Sequence, residues 1–310
     1  MKPGIKVFAP ASVSNVAVGF DVLGFAFDGA GDEVIIREGS SPGLSITAIR
    51  GTKIKLPTSL EMNTAGYAAQ SLLKSLGEEN RSLEMEIYKK MPIGSGIGSS
   101  AASAVAGVFG VSEFIKSGLT KSELLRFATE GEQLADGVFH ADNVAPSLLG
   151  GMILMRNNEQ LDFKKIHIPS GLCVVVLYPH IFISTFESRQ ILQKEVPLDK
   201  VIAQQGNLAG FIAAMYTGDF ELMKRSLHDV IIEPQRAHLI PSFYEMKESA
   251  LKLGAIGFSI SGAGPSMFAL CDNTFIAREI GEKGAALYKK IGIECDVFVS
   301  GIQQEGAVRL

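Results

Sequence analysis

The sequence predicts an α+β fold organised in two domains. Its 310 residues exceed what a single hydrophobic core usually organises, so two domains are expected. Strand-like and helix-like segments alternate along the whole chain, without a low-complexity tract, a charge block or an internal repeat. Beyond residue 170 long helices precede short apolar strands, which indicates a second α+β layer packed on the first. We therefore expect one domain at 1–170 and another at 171–310.

The first domain is predicted to begin with four strands and a helix. Glycine, serine, proline and aspartate at turn positions separate the strands. Asn63 is suited to cap the helix, and Gly77 stands at its C-terminal end. Alternation of apolar and polar residues then predicts a half-buried strand at 83–87. The four opening strands are expected at 5–8, 22–27, 33–38 and 44–49, and the helix at 63–76.

The rest of the chain continues the alternation. An apolar helix is predicted at 101–116, and a capping box at Thr120–Glu123 begins another helix that runs to about residue 136. Strands follow at 152–155 and 172–178. The second domain is expected to contain helices at 199–217, 219–228, 241–253 and 274–290, and strands at 256–260, 267–271 and 294–299.

Composition excludes several classes of function. A formal net charge of −4 gives no basis for a nucleic-acid or anionic-membrane surface, where a basic excess is expected. The longest apolar stretch, 101–115, is too short to span a bilayer, and the N-terminus has no signal-peptide pattern. The three cysteines are too widely spaced for a disulfide framework or a zinc site, which favours buried thiols in a reducing compartment. We expect a cytoplasmic protein.

The segment 92–100, Pro-Ile-Gly-Ser-Gly-Ile-Gly-Ser-Ser, is the strongest chemical signal. Its glycines let backbone N–H groups approach an anion, and the following helix adds the unpaired N–H groups and dipole of its first turn. A side chain at Gly96 is expected to fill the space where those groups meet a phosphate. The segment is not a Walker A loop, because it has no lysine, and Ser99 interrupts a dinucleotide fingerprint. A tightly packed start of a helix is the alternative.

Two other segments rich in small residues lie beside predicted strands. Segment 9–21 carries Ser12, Asn15 and Asp21 among small apolar residues directly after a strand, where binding loops are common. Segment 261–266, Ser-Gly-Ala-Gly-Pro-Ser, lies between two strands and by itself is typical of an ordinary tight turn. These segments therefore become informative only in combination with 92–100.

In their order and spacing the three segments resemble those of the GHMP kinases, the small-molecule kinases of galactose, homoserine, mevalonate and phosphomevalonate type. Ile97 replaces the leucine that is commoner in the Gly-Leu-Gly-Ser-Ser core of that family. Sugar and mevalonate members carry Pro-Gly-Lys or Pro-Gly-Arg and Gly-Glu-His in the first segment, whereas this chain has Pro-Ala-Ser, an asparagine and Gly-Phe-Asp. That pattern, with segments 140–146 and 230–236, is similar to the homoserine kinase branch of the family.

The resemblance implies an N-terminal domain with a left-handed β-α-β crossover, against the usual hand, and a ferredoxin-like C-terminal domain. The activity it implies is transfer of a phosphoryl group from ATP to L-homoserine, which makes O-phospho-L-homoserine on the route to threonine. A GHMP kinase for another small alcohol and a GHMP-fold binding protein without catalysis are the alternatives. The resemblance alone suggests a homodimer.

The resemblance also implies roles at the nucleotide end of the site. Glu132 and Ser100 are expected to hold Mg²⁺, which prefers a few hard oxygens beside phosphates, although a helix glutamate is otherwise most often a surface charge. The expected catalytic residues are Asn143, Glu132 and Ser100. Asn143 stands where mevalonate-type members have a catalytic aspartate, so no general base is assigned. Asp142 is not assigned as a base, because a local cap or turn role suits it equally well. The residues expected to bind ATP are Pro92, Ile93, Gly94, Ser95, Gly96, Ile97, Gly98, Ser99, Ser100 and Ala101.

Homoserine is a zwitterion with a primary alcohol, so its site needs a cation for the carboxylate and an anion for the ammonium. The planar fork of an arginine suits a carboxylate, and Arg189 and Arg236 fall in segments that match the family. Surface ion pairs are the alternative reading of both arginines. The expected substrate-binding residues are Asn15, Asp21, His140, Asn143, Arg189, Arg236 and Gly262.

Overall fold

The computed structural model describes residues 4–310, except for the side chain of Asp136. Its first sheet has the strand order β11-β1-β2-β4-β3, and β5 pairs with the other half of β2 and with β6. Strands β3 and β4 are parallel and are joined through helix α1, which gives a β-α-β crossover whose hand stays a prediction. The strands are β1 Gly4–Ser14, β2 Leu23–Glu38, β3 Leu44–Arg50, β4 Leu83–Tyr88, β5 Met152–Asn157, β6 Asp162–Ile166 and β11 Val308–Arg309.

Two expectations about the opening strands are wrong. Strand β1 continues to Ser14 instead of ending at residue 8, so the binding loop begins only at Asn15. Strand β2 joins the predicted strands 22–27 and 33–38 into one element, because its antiparallel ladder with β1 continues on both sides of the turn-like residues at 28–31. The turn-like residues form an irregularity within the strand, where the register with β1 shifts and Gly29 has a φ of +96°.

Four helices cover the first sheet, and among them α3 packs against α1, α2 and α4. Helix α2 follows the glycine-rich segment and is buried along most of its length, which explains its alanine, glycine and serine content. Helix α3 begins with the predicted capping box, in which Thr120 and Glu123 exchange both hydrogen bonds. The short helix α4 was not predicted. The four helices are α1 Thr64–Ser75, α2 Ser99–Ile115, α3 Lys121–Asp136 and α4 Val144–Leu149.

The second sheet is antiparallel, with the strand order β10-β7-β9-β8. Its connections give the β-α-β-β-α-β arrangement of a ferredoxin-like domain, as the resemblance implies. The strands are β7 Cys173–Pro179, β8 Gly257–Ile260, β9 Met267–Cys271 and β10 Cys295–Gly301. The helices are α5 Thr185–Gln190, α6 Leu198–Thr217, α7 Phe220–Ser226, α8 Glu233–Arg236, α9 Phe243–Lys252 and α10 Thr274–Lys290.

A shared core joins the two sheets. The rings of Phe25 and Phe268 lie 5.9 Å apart in an edge-to-face contact, and residues of both sheets belong to one hydrophobic cluster. A second cluster fills the space beneath α9 and α10. The chain then returns to the first sheet, where β11 pairs with β1. The domain boundary at 170 stays a prediction.

The cysteine environment agrees with the expectation for two of the three thiols. Cys173 and Cys271 are buried and reduced, whereas Cys295 is half-buried. Burial raises the pKa of Cys173 to about 11 and the pKa of Cys271 to about 12, so both thiols stay protonated at neutral pH. Among the described residues, no helix combines the length and the apolar character that crossing a membrane requires.

Candidate active site

The three small-residue segments singled out in the sequence lie against one another and line part of a cavity of about 310 Å³. Backbone hydrogen bonds hold them together, so the segments form one rigid wall although they are far apart along the chain. These bonds run from the N–H of Ser12 to the carbonyl of Ile97 at 3.1 Å, from Gly262 to Ser14 at 3.2 Å, and from Ser266 to Ser95 at 3.1 Å.

The glycines of segment 92–101 permit this close packing. Gly96 and Gly98 have φ values of +77° and +71°, which side chains rarely adopt. A Cβ at Gly96 would lie 2.6 Å from the carbonyl oxygen of Gly264, and one at Gly98 would lie 2.3 Å from the hydroxyl of Ser12. The expectation that a Gly96 side chain would fill the phosphate space is therefore wrong, because that side chain would meet segment 261–266 instead.

Helix α2 directs its N-terminus toward the same cavity. Its N-cap is Gly98, which provides no side-chain cap, and Ser99 and Ser100 of the first turn line the cavity. The N–H groups of a first turn have no partner within their own helix, and together with the helix dipole they favour an anion. The geometry therefore suits a phosphate group at this end of the cavity.

Two hard oxygen atoms stand beside that helix start. Ser100 Oγ donates a hydrogen bond to Glu132 Oε1 at 2.8 Å, and both residues line the cavity. Glu132 belongs to α3 and is buried, so it is not the surface charge that a helix glutamate usually is. A hydroxyl and a carboxylate are donors that Mg²⁺ accepts, so these residues fit the ion that the sequence resemblance implies.

Asn143 lies at the start of α4 and faces β1. Its Oδ1 accepts from Ser12 Oγ at 2.9 Å, and its Nδ2 donates to Ser14 Oγ at 3.0 Å. Both ends of the amide are thus hydrogen-bonded, and an amide does not take up a proton at neutral pH. This arrangement gives Asn143 no capacity to act as a general base.

Asp21 and Arg189 are placed together at the other end of the cavity. The guanidinium of Arg189 donates two parallel hydrogen bonds to the Asp21 carboxylate, each of 2.8 Å. The sequence predicts that Asp21 binds the ammonium and Arg189 the carboxylate of a zwitterion. In the structure the two residues form a bidentate pair with each other. Arg189 also lies over the ring of Phe20, at 5.3 Å from its centroid.

Arg236 is only 3% exposed, which excludes a surface ion pair as its role. Its Nε donates to the carbonyl of Ser188 at 3.0 Å, and its Nη1 donates to the carbonyl of Gly262 at 3.1 Å. Burial and the nearby Arg189 lower the pKa of Arg236 to about 10, so it stays charged at neutral pH. Its guanidinium also lies over the ring of Phe20, with Cζ at 5.2 Å from the ring centroid.

The remaining predicted residues complete the same region. Asn15 donates to the carbonyl of Gly262 at 2.9 Å and accepts from the N–H of Asp21 at 3.0 Å, so it ties two loops together. His140 Nδ1 lies 2.6 Å from Asp142 Oδ1, and both side chains are buried. The polar atoms of Asp21, His140 and Asp142 all lie within 4.8 Å of one another. Asp142 therefore has a local role as the partner of His140.

Sequence reasoning missed two sets of residues around the cavity. Lys89 and Ser103 belong to a buried charged cluster at its base, and a lysine after an alternating strand carries no signal of that role. An apolar group lines another part of the wall. Its members come from the segment before α1 and from β4, and no local pattern joins them: Leu56, Pro57, Met62 and Ile87.

Comparisons with known proteins agree with this geometry. Residues 63–151 match the GHMP kinases N terminal domain, and residues 211–290 match the GHMP kinases C terminal family. The first range contains the glycine-rich segment, Glu132 and Asn143, and the second contains Arg236 and segment 261–266. The crystal structure of L. major mevalonate kinase in complex with R-mevalonate shares the fold, with a TM-score of 0.69 at 19% identity, covering 96% of each chain.

Similarity to individual proteins extends over nearly the whole chain. The homoserine kinase of Chloroherpeton thalassium is 41% identical, with 97% of each chain covered. That of Xanthomonas campestris is 38% identical, with 97% of this chain and 92% of the relative covered. The crystal structure of homoserine kinase from Cytophaga hutchinsonii superimposes with a TM-score of 0.97 at 45% identity, covering 100% of this chain and 98% of the other. Similarity of this extent, together with a cavity that contains a helix start suited to an anion, shows that the chain belongs to the homoserine kinase family within the GHMP kinases.

Proposed function

We propose that this protein transfers the γ-phosphoryl group of ATP to the hydroxyl oxygen of L-homoserine, which yields ADP and O-phospho-L-homoserine. One observation carries the proposal: a single cavity joins a helix start suited to an anion with a group of buried and half-buried side chains of both charges. The first feature suits the phosphates of a nucleotide, and the second suits a small zwitterion. The two therefore lie close enough to react.

The nucleotide is held mainly by backbone groups. Segment 92–101 and the first turn of α2 bind the phosphates through N–H groups, without a lysine on the segment. The apolar wall that includes Leu56, Pro57 and Ile93 accepts the flat base. Ser100 and Glu132 hold Mg²⁺, which when bound neutralises charge on the phosphate oxygens.

Homoserine occupies the end of the cavity that contains the Asp21–Arg189 pair. This pair presents one negative and one positive group side by side, which matches the two charges of an amino acid. Arg236 adds a second positive charge nearby, since its proximity to Arg189 contributes to its lowered pKa. The carboxylate therefore binds toward the two arginines and the ammonium toward Asp21.

Proton transfer needs no dedicated base in this site. Phosphoryl transfer depends mainly on alignment and on neutralising charge, so the hydroxyl proton can leave late, to an oxygen of the transferred group. Asn143 and His140 act by orienting the hydroxyl end of the substrate, because both are polar side chains that line the same cavity.

The test is ADP release with a panel of alcohols, followed by mass spectrometry of the product. Homoserine should be phosphorylated at its hydroxyl, whereas mevalonate, galactose and glycerol should give no more ADP than the background. Turnover of another alcohol without turnover of homoserine would assign the protein to a different GHMP kinase activity. Binding of ATP and homoserine by calorimetry, with no product, would instead indicate a binding protein.

A further inference from the structure

A buried charged cluster lies beneath the glycine-rich segment. It consists of Asp32 on β2, Lys89 just after β4 and Ser103 on α2, and we refer to it as the Asp32 cluster. Asp32 is 0% exposed and Lys89 is 4% exposed. Lys89 pairs with Asp32, while Ser103 Oγ accepts from Lys89 Nζ and donates to Asp32 Oδ2, each at 2.8 Å.

The Asp32 cluster is bonded to both ends of the glycine-rich segment. Asp32 Oδ1 accepts from the N–H groups of Lys90 at 2.9 Å and Met91 at 3.4 Å, immediately before the segment. Lys89 Nζ donates to the carbonyl of Ser99 at 2.8 Å. Ser99 is the first residue of α2 and directly follows residues 92–98, the part of the segment that contains its glycines. One ion pair therefore connects the residues before the glycine-rich segment to the first turn of α2.

Stability alone does not account for such a cluster. A buried ion pair must offset a large desolvation penalty, and apolar residues of similar volume often stabilise a protein as well or better. Charged hydrogen bonds, in contrast, are short and directional, and they impose a geometry that apolar contacts do not. A segment with several glycines at positive φ has many alternative conformations, so it needs such a constraint.

We propose that Asp32 and Lys89 are positioning residues for the nucleotide. They hold the two ends of segment 92–98 at the separation at which its N–H groups converge on the phosphates. This inference rests on the proposed function, since it requires that ATP bind at this segment. Neither residue is hydrogen-bonded to the Asp21–Arg189 pair, so homoserine binding should depend on them much less.

The second domain contains a cluster of the same composition that serves as a control. Lys247 pairs with Glu233, and Ser259 Oγ donates to Glu233 Oε2 at 2.7 Å. Glu233 is 5% exposed and Ser259 is 2% exposed, whereas Lys247 is half-buried. The Glu233 cluster holds α8 against α9 and β8, and its side-chain hydrogen bonds do not run to the glycine-rich segment.

The experiment compares Lys89→Met with Lys247→Met, measuring Tm and, by calorimetry, the Kd of the magnesium complex of a non-hydrolysable ATP analogue. Both variants should have a lower Tm. Lys89→Met should raise the Kd for the analogue at least about tenfold, which corresponds to about 1.4 kcal/mol. Lys247→Met should leave that Kd within about twofold of the wild-type value. If Lys247→Met raises it as much, the Asp32 cluster contributes only stability, and the proposal is wrong.

Further variants separate positioning from folding. The double variant Asp32→Leu with Lys89→Met removes both charges, so it should regain part of the Tm without regaining ATP affinity. Ser103→Ala deletes one hydroxyl, and it should raise the Kd for the analogue severalfold while the protein stays folded. Unchanged affinity in Ser103→Ala, or recovered affinity in the double variant, would contradict the proposal. Failure of the wild-type protein to bind the analogue would instead contradict the proposed function.

Asp32→Asn tests a direct role of Lys89. This variant leaves Lys89 its charge and removes its ionic partner. Under the positioning role the analogue binds more weakly, because the two ends of the segment are held less firmly. Tighter binding would mean that the released ammonium acts on the phosphates itself, and it would overturn the proposal.

Discussion

The two ends of the cavity are built in different ways. At the proposed nucleotide end glycines allow three segments to pack against one another through backbone hydrogen bonds. At the homoserine end charged side chains form the surface, with Arg189 and Arg236 over the same ring of Phe20. Function at the first end therefore depends on backbone geometry, and function at the second depends on the identity of a few side chains.

Each end also has its own buried support. The Asp32 cluster holds the glycine-rich segment, and the Glu233 cluster holds the short helix that carries Arg236. Asp229 adds to the second support, because its carboxylate accepts the N–H groups of Ile231, Ile232 and Glu233 at 2.8–3.0 Å. The binding of the two substrates should thus be separable by mutation, although both bind in one cavity.

The largest expected effect concerns Glu132, the carboxylate proposed to hold the metal at the nucleotide end. Glu132→Gln should fold normally but reduce kcat about a hundredfold or more, because an amide supplies no negative charge to hold Mg²⁺. The measurement is the steady-state rate across a magnesium titration. Glu130→Gln is the matched control, since Glu130 lies on the same helix and pairs with Arg126 at the surface. Near-normal rates for Glu132→Gln would remove Glu132 from the metal site.

The next effect tests the homoserine end. Arg189→Ala or Arg236→Ala should raise the KM for homoserine roughly ten- to a hundredfold, the range of a charge-assisted hydrogen bond of about 1.5–3 kcal/mol. The KM for ATP should change much less, because backbone groups hold its phosphates. The exposed Arg225 provides a control through Arg225→Ala. Equal increases of both KM values would show that the two ends are not independent.

A smaller effect is expected from Asp21→Asn. The amide keeps the shape of the carboxylate but loses its charge, so the KM for homoserine should rise about tenfold. With 4-hydroxybutyrate, which lacks the ammonium group, the same substitution should have less effect. Competition of this analogue against homoserine gives the measurement. An equal loss for both compounds would mean that Asp21 acts by orienting Arg189, its bidentate partner, and not by binding the ammonium.

The smallest expected effect on the kinetic constants comes from Gly96→Ala, which should alter both ends of the cavity. In Gly96→Ala the new Cβ would meet the carbonyls of Gly264 and Ser261 at 2.6 and 2.8 Å. Displacing this segment also moves the Gly262 carbonyl that holds Arg236, so both KM values should rise severalfold, with a loss of stability of about 1–3 kcal/mol. Gly118→Ala has a similar φ of +76° and no neighbour within 4 Å, so it isolates the strain of the backbone. If the two variants behave alike, the collision is unimportant.

Local features of the structure were predictable from the sequence where a residue type favours one local conformation. The capping box at Thr120 and Glu123 begins α3, and the glycine spacing at 92–98 marks a segment with left-handed backbone before a helix. The joining of two predicted strands into β2 was not predictable, because β2 pairs with β1 on both sides of an irregularity at which the register shifts and Gly29 has a φ of +96°. The Asp32 cluster also left no local pattern, since its three members come from a strand, a loop and a helix.

The sequence by itself determined the α+β class, most of the longer elements and the glycine-rich segment before α2, because periodicity, caps and glycine spacing act over a few residues. Its resemblance to the GHMP kinases also pointed to the residues at both ends of the cavity. Only the tertiary structure decided how those residues meet. Asp21 and Arg189 stand 168 positions apart, and their pairing depends on the packing of both sheets around a common core. Contacts over such separations follow from the whole fold, and no local pattern encodes them.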